Sequence, residues 1–163
     1  MGIPVNAAHW HLVLNHLPIF FVLIGMGILI AGMIRDSVEL TATALVLFIV
    51  AGAGSYVVIE SGESAEEIVE SNNQLREETF EQHEEYGETA GNIIMVLGAL
   101  SLAYLLYAYY QGTFYTWASG VILLITFAGL YYLLLAASFG GKARHPEIRS
   151  KTQPVTAPPA STE

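Results

Sequence analysis

The sequence predicts an all-α protein: a four-helix transmembrane bundle, up-down-up-down, with a helical extramembrane extension between spans two and three. Three observations carry this. Of 163 residues, 53% are hydrophobic and only 13% charged, a composition unlike that of an ordinary soluble domain. Four stretches, about 17–34, 38–59, 89–110 and 114–138, are apolar enough to cross a bilayer. At 1.5 Å per residue each covers roughly 27 Å or more of the ~30 Å hydrocarbon core. Two of the links between them are short, which forces antiparallel neighbours.

The first span begins at Leu17 and Pro18. It has no positively charged leader and exceeds the 7–15 residues of a signal-peptide core, so it reads as an uncleaved span. Arg35, Asp36 and Ser37 make the turn into the second span. After it, residues 60–88 form a helical loop, because Ser64 followed by Glu67 has the capping-box spacing that starts a helix at Ala65. Asn72 and Asn73 end that helix. From Gln74 no proline interrupts the chain until Pro146, so span three rises out of the membrane as one long helix. Gln111, Gly112 and Thr113 turn into span four, and Gly140 and Gly141 suit its C-terminus.

Residues 1–149 thus form one membrane domain, and 150–163, "SKTQPVTAPPASTE", read as a disordered tail by composition. Small residues spaced for close helix contact recur at Gly27 with Ala31, Ala51 with Ser55, and Ala99 with Ala103. Tyr107, Tyr109, Tyr110, Phe114, Tyr115 and Trp117 gather at the third-to-fourth turn as an interfacial aromatic belt.

The bilayer is therefore the expected environment, in a cell (inner) membrane. A formal charge of -9 argues against nucleic acid and against anionic lipid headgroups. Four spans put both termini and the 60–88 loop on one face, the site face. Arg76, Lys142, Arg144, Arg149 and Lys151 lie there and only Arg35 opposite, so the positive-inside rule places the site face in the cytoplasm.

The chain has no cysteine, which excludes disulfides, thiolate-bound iron–sulfur clusters and covalently attached haem. Histidine and carboxylate are the strong metal ligands left. All five histidines belong to the site face: His9, His11 and His16 before span one, His83 at the foot of span three, and His145 after span four. At about 100° per residue His83 sits opposite Glu77, Glu78, Glu81, Glu84, Glu85 and Glu88, with Phe80, Tyr86, Gly87 and Ala90 beside it, so it faces the bundle. A core histidine satisfied by a backbone carbonyl fits that position as well as a functional one.

In "HWHLVLNHLP", His9 and His16 share a face if the stretch is helical, and His9 and His11 share a side if it is extended. Pro18 predicts a break near Asn15 or His16, and Trp10 anchors the segment at the headgroups. Glu60 ends span two, where the helix dipole disfavours a carboxylate by ~0.3–1 kcal/mol, so a compensating cation is expected. Arg144, Arg149, a protonated histidine or a metal ion would serve. Glu63, Glu66 and Glu147 lie on the same face.

These residues resemble a family of small, uncharacterised prokaryotic integral membrane proteins with four predicted helices, a domain of unknown function. The resemblance rests on "HWHLVLNHLP" (H-x-H-x4-H-x-P), "SGESAEE", "HEE" and "GGKARHPEIR" (G-G-x-x-R-H-P-E-I-R), and it spans residues 9–149. It implies the four-helix architecture and a functional role for His9, His11, His16, His83 and His145, with Glu147 and Arg144 in the terminal motif. Related membrane domains joined to cytochrome or iron–sulfur modules point it toward redox chemistry. The glutamates of 77–88 are denser than the family pattern.

The resulting expectation is a histidine-rich, carboxylate-flanked site at one membrane face, binding a transition metal or haem b for electron transfer. Imidazole is the common ligand of zinc, copper and iron. A metal site would draw on His9, His11, His16, His83, His145, Glu60 and Glu147. Haem b would use His16, His83 or His145, with Arg144 on a propionate and Gly52, Gly54 and Gly87 opening a slot. The alternative is a structural or assembly subunit of a membrane complex, such as a respiratory one, docked through the acidic rim. A small transporter or proton path is weaker, since no Asp, Glu, Lys, Arg or His lies deep in a span. No nucleophile or triad supports catalysis.

Overall fold

The computed structural model describes the backbone of residues 7–70 and 77–144 and the side chains of 9–63 and 79–143. Described residues form five helices: α1 Ala7–Leu14, α2 Leu17–Arg35, α3 Val38–Glu70, α4 Glu77–Gln111 and α5 Thr116–Arg144. Four stretches are long and apolar enough to cross a membrane: His9–Arg35, Val38–Glu63, Thr79–Gln111 and Thr116–Ala143. Helices α2 to α5 make the up-down-up-down bundle, in which α2 and α5 also meet. Helix α1 packs chiefly on α3.

Chain chemistry explains the turns. Pro18 stands in the first turn of α2, where its missing N–H is no loss. Asp36 ends α2 in the left-handed region (φ 51°, ψ 40°), donating its N–H to the Gly32 carbonyl. Ser37 then caps α3 by accepting the Leu40 N–H at 3.3 Å. At the other turn Gly112 takes φ 70°. The Tyr104 hydroxyl bonds both the carbonyl and the N–H of Tyr115, each at 2.8 Å, so α5 starts at Thr116 and not at Phe114.

Val22, Leu29, Leu45, Phe48, Ile94 and Leu97 are fully buried along the bundle axis. Lipid is as apolar as leucine, so close packing holds such helices together. A backbone-to-backbone crossing joins α3 to α4: a Cβ on Gly52 would lie 3.1 Å from the Gly98 Cα, and one on Gly98 3.1 Å from the Gly52 Cα. The expected pairs Gly27 with Ala31 and Ala99 with Ala103 do not make it. Gly27 has open space around it, and Ala99 and Ala103 are exposed.

Three expected breaks are absent. Helix α3 runs unbroken through Ala65 to Glu70, so the backbone does not restart there. Glu60 therefore lies inside a helix and meets no terminal dipole. Helix α5 continues through Gly140 and Gly141 to Arg144. Asn72, Asn73, Gln74, the 150–163 tail, His145 and Glu147 lie outside the described residues, as do the side chains of Arg144 and Glu66.

Candidate functional site

At the site end the helices enclose a cavity of about 460 Å³, bounded by α1, the Asn15–His16 turn and the ends of α2 to α5. That is within the usual size range of ligand pockets, ~300–1,000 Å³. Pro18, Ile19, Ile59, Phe80 and Leu133 give it apolar walls, and Glu63, Glu84 and Glu88 line it with carboxylates.

The opening stretch folds as a short helix, a two-residue turn and α2, with the break at Asn15 and His16 where Pro18 predicts it. His9 and His11 are therefore on one helix and do not form an extended H-x-H grip. His9 is exposed and off the cavity wall, whereas His11 is half-buried and on it. His11 Nδ1 lies 3.1 Å from the Val58 carbonyl and 3.3 Å from Ser61 Oγ. Ser61 Oγ itself donates to Val58 O at 2.9 Å. Gly62 lets the ring approach: a Cβ there would stand 3.2 Å from His11 Cε1.

His83 meets the opposite wall in the same manner. Its Nδ1 lies 2.8 Å from the Ala136 carbonyl of α5. A Cβ on Gly140 would stand 2.9 Å from both Nδ1 and Cε1 of His83. Gly140, read from sequence as a helix end, is instead the seat of an imidazole. The carbonyl-satisfied and functional readings of His83 are compatible, because the bond occupies only one nitrogen.

A carbonyl can only accept, so Nδ1 carries the proton in both rings. In the neutral imidazole the lone pair is then on Nε2. The two rings stand 6.4 Å apart between centres, with planes at 83°. Two buried polar atoms of cavity-lining residues, Asn15 Oδ1 and Ser55 Oγ, have no hydrogen-bond partner among the described residues. Leaving such a group unpaired costs about 1–3 kcal/mol.

Of the residues expected at a site, His11, His16 and His83 line this cavity together. His16 is exposed at the N-cap of α2 and makes no side-chain cap bond. Glu60 is exposed and off the wall, on a different face of α3 from the lining residues Ile59, Gly62 and Glu63. Among the described residues no group of three or more His, Asp or Glu is arranged to hold a metal ion. Of the three slot-forming glycines only Gly87 lines the cavity, since Gly52 is spent on the α3–α4 crossing and Gly54 is open. Sequence reasoning missed Ser55, Gly62 and Gly140 as site residues. A small residue one helix-width from a histidine carries no signal until the helices are paired.

Compared with family models, curated proteins and solved structures, the chain matches none of them.

Proposed function

We propose that this chain is an integral membrane electron-transfer protein that holds a metal-centred redox group, a transition-metal ion or haem b, on His11 and His83. The observation that carries the reading is the pair itself: two imidazoles from distant parts of the chain, each with Nδ1 tied to a carbonyl, side by side in one cavity. A metal-binding histidine characteristically donates its other N–H in this way, which fixes the ring and strengthens the remaining nitrogen as a donor. His16 on the same wall is the further imidazole within the site. Both paired rings also belong to the motifs through which the chain resembles the uncharacterised membrane family.

On the distribution of lysine and arginine we assign the site face to the cytoplasm of the cell membrane. The deciding experiment is metal analysis with a visible spectrum on protein extracted gently from its native membrane. Stoichiometric metal or haem, lost in the His11→Ala and His83→Ala variants, supports the reading. Metal-free, colourless protein that takes up neither metal nor haem leaves the structural or assembly role in a membrane complex, and overturns it.

A further inference from the structure

The geometry points to an iron porphyrin as the occupant of the cavity, with His11 and His83 as its two axial ligands. This rests on the reading that the pair holds a metal-centred group, and it names that group.

Ligand number favours a porphyrin over an ion. A bare transition ion takes four or more donors, of which protein sites supply three or four. Among the described residues no third His, Asp or Glu joins the two imidazoles into such a group. A porphyrin brings four nitrogens of its own and leaves only the axial positions to the protein. A porphyrin asks only these two imidazoles of the protein, whereas an ion needs further donors brought to them.

Separation and room agree. Two imidazole nitrogens on opposite sides of one metal, each about 2 Å from it, put the ring centres roughly 6 Å apart. The observed value is 6.4 Å. The cavity of about 460 Å³ is largely apolar, as a macrocycle requires, and nothing lies within 4 Å of where a Cβ on Gly87 would be.

The 83° between the imidazole planes adds a spectroscopic consequence. Crossed axial planes leave two iron d orbitals nearly equal in energy, whereas parallel planes split them. Ferric iron held here is low-spin with a strongly anisotropic paramagnetic resonance signal: one dominant low-field feature in place of a spread, rhombic set.

The test adds haemin to the full-length, haem-free protein in detergent and records absorbance and electron paramagnetic resonance. Saturation at one haemin per chain with a six-coordinate, low-spin spectrum and the anisotropic signal is expected. His83→Gln keeps an amide able to donate to Ala136 while removing the ligand, and circular dichroism checks its fold. It is expected to leave the iron five-coordinate and high-spin, with free imidazole restoring the low-spin form. His83→Met, which replaces one ligand with another, is expected to stay low-spin with an altered spectrum. Unsaturable partitioning of haemin, or a spectrum unchanged by His83→Gln, overturns the inference. A rhombic signal overturns the crossed-ligand geometry. Stoichiometric copper, iron or zinc ion with no haemin uptake overturns the porphyrin and leaves the metal reading standing. Uptake of neither overturns both.

Discussion

His11 and His83 face each other across the site end of the bundle with ring planes crossed at 83°, and neither is anchored by its own helix. His11 is tied to Val58 of α3, and His83 to Ala136 of α5. The pair thus links α1 to α3 and α4 to α5 at the same level, so whatever engages both rings also clamps four of the five helices.

On the proposed reading, replacing either ring with alanine removes the bound group without unfolding the bundle. The lost hydrogen bond is worth only about 0.5–1.5 kcal/mol. Metal content or absorbance should fall to background while the far-ultraviolet circular dichroism stays helical. Retention of the group in His83→Ala contradicts the assignment.

Gly140→Ala is expected to reproduce the His83→Ala phenotype. The added methyl meets the His83 ring at 2.9 Å, so the ring must leave its bond to Ala136. Alanine also favours a helix interior by about 1 kcal/mol over glycine, so thermal stability is expected to be unchanged or higher while the group is lost. Gly54→Ala, in open space, is the control: it should gain stability by the same effect and keep the group.

Gly98→Leu is expected to destabilise the protein by about 1–3 kcal/mol or more, because the side chain must enter a crossing where backbone meets backbone and nothing can rotate away. Thermal unfolding in detergent reads this directly. A stability equal to the wild type would mean that α3 and α4 do not cross there.

Tyr104→Phe removes the hydroxyl that bonds both backbone groups of Tyr115 and contacts Ser119 Oγ at 3.2 Å. The turn before α5 is expected to loosen, at about 1–3 kcal/mol, with faster amide hydrogen exchange at Tyr115 and no change at the site. Equal exchange rates would show the latch to be idle.

Ser55→Ala is expected to stabilise the protein by about 1 kcal/mol or more, since it removes a buried hydroxyl that has no partner among the described residues. Chemical denaturation of the two forms in parallel checks it. A loss of stability would mean the hydroxyl is already satisfied.

The fold was legible because membrane spans announce themselves one segment at a time. Length and hydropathy sufficed for four spans, and Pro18 alone marked the break at Asn15 and His16. Helical periodicity likewise turned His83 inward. What sequence could not supply was the pairing of helices. The glycines illustrate this: Gly140 looks like a terminator and is a seat for a ring, and Gly27 looks like a contact and faces open space. The capping-box signal at Ser64 failed for a related reason. A backbone already helical from Val38 needs no new start, so the local signal had nothing to act on.

The cavity's position has an electrical corollary. Its imidazoles lie at one end of the bundle, far from the turn at Arg35 and Asp36. Moving one elementary charge across the whole membrane against 100 mV takes about 2.3 kcal/mol, a cost that falls with the fraction of the field crossed. On the proposed reading, an electron exchanged between these histidines and the adjoining aqueous phase crosses little of the membrane's field, so its exchange is expected to be nearly independent of voltage.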